Sequence, residues 1–189
     1  MTAENIIVTV RNELIRSIAA LDEWFDSEQS LMEFRPSTGR RVCELLRHVM
    51  LTNQFLLALI DEECKTTKDN RTGFDLSMAG YCLEILSLEE IAGEEPFVRW
   101  TADFPAPGSD RPLVEVRREI REQLNTSLIF LEMLNGGEGT LYKISLPVEG
   151  AANLDVYQSL YFLALYTRKH VGQLQSILEE YNREFKAVG

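Results

Sequence analysis

Histidine is scarce in this sequence: 189 residues hold two, His48 and His170. Any chemistry that needs an imidazole must use one or both. Cysteine is scarce as well. Cys43, Cys64 and Cys82 are odd in number and show no CxxC spacing. This argues against a disulfide framework and a structural zinc motif, and reads as free thiols of a reducing cytoplasm. A basic excess is missing too: the formal net charge is −11. Such a surface repels phosphate backbones and anionic lipid, so neither nucleic acid nor a membrane surface is expected as a partner. No apolar run is long enough to cross a bilayer. The opening "MTAENIIVTVRNELIRS" starts polar, is broken by Arg11, Glu13 and Arg16, and does not read as a signal peptide. HExxH, P-loop, GxGxxG and GxSxG patterns are all absent.

What is present is ordinary globular composition, 45% apolar and 26% charged, at a length that suits one domain over 1–189. Four segments carry helical periodicity. The first, 4–28, has the stripe Ile7, Val10, Leu14, Ile18, Leu21 and Phe25. The second, 39–63, follows Pro36, Ser37 and Thr38, which supply start and capping chemistry. Its stripe is Leu45, His48, Thr52, Phe55 and Leu59, beside a row of Val42, Val49 and Leu56.

The third segment, 112–135, has Asp110 as a candidate cap and Pro112 in the first turn, and stops at "NGGEG". Its stripe is Val116, Ile120, Leu124, Ser127, Leu131 and Leu134. The fourth, 153–186, has the stripe Val156, Leu160, Leu163, Tyr166, His170, Gln173, Ile177 and Tyr181. Between the second and third lies a long crossover, 64–111, in which "LSMAGYCLEILSLEEIAG" has room for short helices. "TLYKISLPVEGAAN" has room for a short extended piece. The pattern predicts an all-α chain: a four-helix bundle with a long crossover after the second helix.

His48 and His170 each stand in an apolar row of a different helix. Bundle interiors build metal sites from facing helices, so the two imidazoles can share a metal. Tyr166 lies one turn before His170 on the same face and brings a phenol to them. Gln173, three residues after His170, is placed to bond its other ring nitrogen. From spacing alone two readings stand open. One is a pair of hydrogen-bonded core histidines. The other is a metal site, for which zinc usually takes at least three protein ligands. A neutral phenol is a poor ligand, because a tyrosine pKa near ~10 means that the metal must displace its proton. Glu44, one turn before His48, is a candidate carboxylate, though a capping role suits it better. Cys43 is turned about 140° from His48 around the helix and pairs poorly with it.

The order of these motifs resembles the DinB-like superfamily of metal-dependent enzymes. Those proteins carry one histidine in the second helix and an HxxxH pair in the fourth. One subgroup has a signature close to HPxFGxL…QWLxFLxxHxxRHxxQI. The matching stretch here is "LPVEGAANLDVYQSLYFLALYTRKHVGQLQSI". Pro147 and Gly150 line up with the HPxFG piece, Gln158 with the Q of QWLxFL, and Lys169, His170 and Gln173 with RHxxQ. "LLRHVML" supplies His48.

Three positions depart from the signature. Tyr166 stands for the first histidine of HxxxH, Leu146 for the histidine of HP, and Glu149 for the phenylalanine. The resemblance therefore implies a metal triad of His48, Tyr166 and His170, with one histidine ligand replaced by a phenol. It implies one divalent metal, zinc or nickel, and metal-dependent hydrolysis or thiol-dependent transfer. The alternative is a metal-free bundle that holds a small molecule between its helices or serves a structural role. Bundles of this kind often pair, and the acidic surface does not forbid a homodimer.

Overall fold

The computed structural model describes residues 3–37, 39–66, 88, 111–146 and 153–186. Most of the crossover, with Cys82, Asp110 and the short helices foreseen there, lies outside the described residues. So do Thr38, Pro147, Glu149 and Gly150. The chain is all-α. Helix α1 runs over Ala3–Asp22, α2 over Gln29–Glu33, α3 over Val42–Thr66, α4 over Leu113–Met133 and α5 over Val156–Lys186. Among the described residues the only pairing of extended backbone is a single antiparallel bridge, Ile144 with Leu154.

The four long helices touch in a closed ring: α1 lies along α5, α5 against α3, α3 against α4, and α4 against α1. The apolar stripes face inward as their spacing requires. Val10, Leu14, Leu21, Val42, Val49, Val116, Ile120, Leu131, Val156 and Leu160 are all fully buried. The core forms two clusters. One gathers the first half of α1, the second half of α3 and the first half of α5 around Tyr157 and Phe162. The other gathers the opposite halves around Trp24, Leu46 and Leu174. Burying a large side chain of this kind stabilises by roughly 1.5–3 kcal/mol.

Several element ends differ from the expected ones. The first helix does not continue to residue 28. It tightens into a 3-10 turn at Glu23–Asp26, where Asp22 and Asp26 receive Arg117 of α4. Arg117 donates to Asp22 at 2.8 and 3.0 Å and to Asp26 at 2.7 and 2.8 Å, and Arg121 adds bonds of 2.7 and 2.9 Å to Asp22. This fork geometry holds the Asp22 carboxyl well below the usual carboxylate range.

Helix α3 begins at Val42, later than expected. Its first turn is closed by Glu44, whose Oε2 accepts the Arg41 N–H at 3.0 Å. This is the return half of a capping box. Pro112 precedes α4 instead of occupying its first turn, with φ −56° and ψ 136°. The last long helix begins at Val156 and not at residue 153, because Asn153 is left-handed with φ 62°. A complete capping box starts it: Gln158 N–H donates to Asp155 Oδ1 at 2.9 Å, and Asp155 N–H to Gln158 Oε1 at 3.0 Å.

One further expectation is corrected. The stretch Val42–Lys65 of α3 is long and apolar enough, by length and composition, to cross a membrane. Scattered polar residues such as Arg47 interrupt it. In the fold 56% of its most apolar 18-residue window is buried inside the protein, and the helix packs against α4 and α5.

Candidate functional site

The two apolar clusters are separated by buried polar residues contributed by all four long helices. These are Glu13 and Ser17 on α1, His48, Thr52 and Asn53 on α3, Gln123 and Ser127 on α4, and Thr167 and His170 on α5. Within this layer α3 and α5 bring the foreseen residues together. The rings of His48 and His170 meet edge to face with centroids 5.1 Å apart. Tyr166 stands edge to face with His170 at 4.5 Å and 6.3 Å from the His48 ring. Phe162 stacks on Tyr166 from the apolar side at 6.2 Å. All three site residues are buried: His48 is 7% exposed, Tyr166 3% and His170 4%.

The hydrogen bonds set the proton positions. His48 Nε2 and Tyr166 Oη share a bond of 3.0 Å. His170 Nδ1 lies 2.7 Å from Gln173 Oε1. An amide oxygen only accepts, so Nδ1–H is the donor and the lone pair of a neutral His170 is left on Nε2. That Nε2 is buried and has no hydrogen-bond partner among the described residues. Gln173 thus bonds the other ring nitrogen of His170, one of the arrangements its spacing allowed.

Burial pushes both imidazoles down. His48 falls to about 3, with the nearby Arg40 charge and His170 adding to the effect. His170 falls to about 4: burial dominates, the bond to Gln173 opposes it, and Lys169 and Arg40 lower it further. Both rings are therefore neutral at ordinary pH, which is the state a metal ion requires of a histidine ligand.

Glu44 does not extend the donor set, since it is exposed and engaged at the start of α3. Cys43 and Cys64 are free thiols, half-buried and buried, respectively. Leu146, at the position of the signature's HP histidine, is 4% exposed and belongs to the apolar core. Among the described residues no group of three His, Cys, Asp or Glu side chains gathers in metal-binding fashion. The candidate donors are two imidazole nitrogens and one phenol oxygen.

Two neighbours were missed in the sequence. Asn53 is fully buried and donates to Thr167 Oγ1 at 3.3 Å, beside Tyr166 in the chain. Gln123 is buried and donates to the Met50 carbonyl at 2.8 Å. A signal for Asn53 was present, because it fills the three-four step between Val49 and Leu56 in the second row of α3.

No family model, curated protein or solved structure matches the chain.

Proposed function

We propose that this chain is a DinB-like four-helix bundle whose interior site, His48, Tyr166 and His170, takes one divalent metal, zinc or nickel. The site then serves metal-dependent hydrolysis or thiol-dependent transfer. The observation that carries the reading is His170 Nε2, a buried lone pair with no partner among the described residues, its tautomer set by Gln173. A buried unsatisfied acceptor is costly, and a cation is one way to satisfy it. Further support comes from the neutral state of both imidazoles and from the closed ring of four long helices. His48 Nε2, Tyr166 Oη and His170 Nε2 fit the ion as donors. The phenol is the weak member, because it must give up its proton to bind.

When bound, the metal would supply Lewis-acid polarisation of a water or thiolate. The chain's own residues do the rest. Gln173 keeps the Nδ1 proton of His170 in place. Tyr166 and His48 hold one proton between Oη and Nε2. Phe162 and the surrounding apolar side chains keep bulk water from the rings. The exposed side chains of Ile129 and Met133, one turn apart on α4, support the homodimer as part of this proposal. The free thiols of Cys43 and Cys64 support a reducing cytoplasm.

The test is elemental analysis of the purified protein and again after reconstitution with zinc and with nickel. Stoichiometric metal supports the reading, and none in either sample sinks it. Tyr166→His should tighten zinc binding, whereas unchanged affinity would remove Tyr166 from the ligand set. The His48–Tyr166 hydrogen bond favours a second reading, a metal-free bundle. There the phenol satisfies His48 in place of the ion, and the protein folds and binds small molecules without metal.

A further inference from the structure

A cavity of about 360 Å³ opens between the segment preceding α3 and the second half of α5. Its apolar walls include Pro36, Leu45 and Ile177, and its polar walls include Arg40, Gln173 and Glu180. That volume suits a small molecule. Three features give the cavity a chemistry. Gln173 is both a wall of the cavity and the hydrogen-bond partner of His170 at 2.7 Å, so a molecule held there rests against the group that orients the ring. Arg40 is exposed and makes no hydrogen bond or ion pair among the described residues. This is notable in a chain with 30 acidic and 19 basic side chains. The remaining charge, Glu180, turns one oxygen to the chain itself, accepting the Ser37 N–H at 2.6 Å.

We propose that this cavity binds a small amphipathic anion, its carboxylate on Arg40 and its apolar body on Leu45 and Ile177, and presents it to the histidine site through Gln173. The guanidinium offers a planar fork that matches a carboxylate. Arg40 lies near enough to the site for its charge to push both imidazoles down further. The proposal deepens the functional reading by naming the substrate class, and as a route to chemistry it rests on that reading. The binding itself does not require a metal.

The experiment uses the full chain without metal, butyrate as the probe and butyramide as its neutral counterpart. The readout is the ring signals of the two histidines in a carbon-proton NMR spectrum, assigned with a His48 variant. Butyrate should shift the His170 signals saturably and butyramide should not. Arg40→Gln should weaken butyrate binding about tenfold or more, and Arg40→Lys should recover part of it. Arg40 is exposed, so neither variant disturbs the core. Equal shifts from butyrate and butyramide would overturn the proposal, as would butyrate binding to Arg40→Gln within about twofold of the parent. Zinc titration of the same samples separates the two readings. Butyrate binding without zinc binding leaves the cavity standing and removes the metal, and the reverse result removes the cavity alone.

Discussion

His48 on α3 and Tyr166 on α5 are 118 positions apart in sequence and share a buried hydrogen bond of 3.0 Å. The bond joins the two helices among the buried polar residues near the junction of the two core clusters. Tyr166→Phe keeps the ring and removes the hydroxyl, so it leaves His48 Nε2 without that partner and opens no cavity. The expected cost is about 1–3 kcal/mol in the metal-free protein. Urea unfolding measures it, and an unchanged midpoint would show that the bond contributes nothing.

Gln173 holds the Nδ1 proton of His170 at 2.7 Å. In Gln173→Leu that acceptor is gone and the proton can move to Nε2. Long-range nitrogen-proton correlation should then show a mixture of tautomers in place of one. If zinc binds the parent, its affinity in the variant should drop about 10- to 100-fold. A single unchanged tautomer would mean that something other than Gln173 orients the ring.

Acid should destabilise the metal-free fold well before carboxylates titrate. The folded imidazoles lie at about 3 and about 4, below the ordinary 6.5 that they regain on unfolding. Between those values the unfolded chain holds more protons than the folded one. The stabilising contribution is therefore fully present above pH 6.5 and is lost as pH falls toward 4 and then 3. The slope is about 1.4 kcal/mol per pH unit for each histidine. Asp22, held down by Arg117 and Arg121, adds loss of the same sign at lower pH. Urea midpoints measured from neutral pH downward should fall in this window, and His170→Asn should roughly halve the slope. A flat profile down to the carboxylate range would contradict the burial of the pair.

Gly139 and Gly172 should respond to alanine in opposite directions. A Cβ at Gly139 would come within 2.6 Å of the Tyr157 ring, which is fully buried and donates to the Leu134 carbonyl. Gly139→Ala should cost about 1–3 kcal/mol through overpacking. Gly172 sits in α5 with nothing within 4 Å of the added carbon. Gly172→Ala should gain about 0.5–1 kcal/mol from helix propensity. Thermal melts of the two variants decide it, and similar shifts would refute the contact at Tyr157.

The apolar stripes were legible because helical spacing determines which side chains face inward. Ile7, Val49, Ile120 and Leu163 are buried as read. That His48, Tyr166 and His170 face the interior followed from the same rule, since polar residues in an apolar row must point inward; that they meet one another was implied by the family resemblance and not by the spacing. A stripe identifies a face and not a neighbour, so the sequence carried no sign that Arg117 would reach Asp22 across 95 positions. Helix ends were the weakest part, because they depend on local geometry. Gln158 is drawn into a cap by Asp155, and the left-handed Asn153 delays the start of α5. Arg40 gave no sequence signal, since an arginine in a polar loop looks the same whether or not a carboxylate waits for it.

Helix α5 has 31 residues and spans about 46 Å. It is anchored at both ends: by the Asp155–Gln158 box at the start, and near the finish by Glu180 on the Ser37 N–H and Tyr181 on the Ser30 hydroxyl. Tyr166 and His170 sit between these anchors. One residue inserted between Gln158 and Tyr166 would turn the downstream half by about 100° relative to the upstream half. The rings could then face the interior only if the terminal anchors let go. The clamps at the ends of the rod thus set the angular position of its middle, and the aim of the two side chains toward α3 is a property of the whole helix.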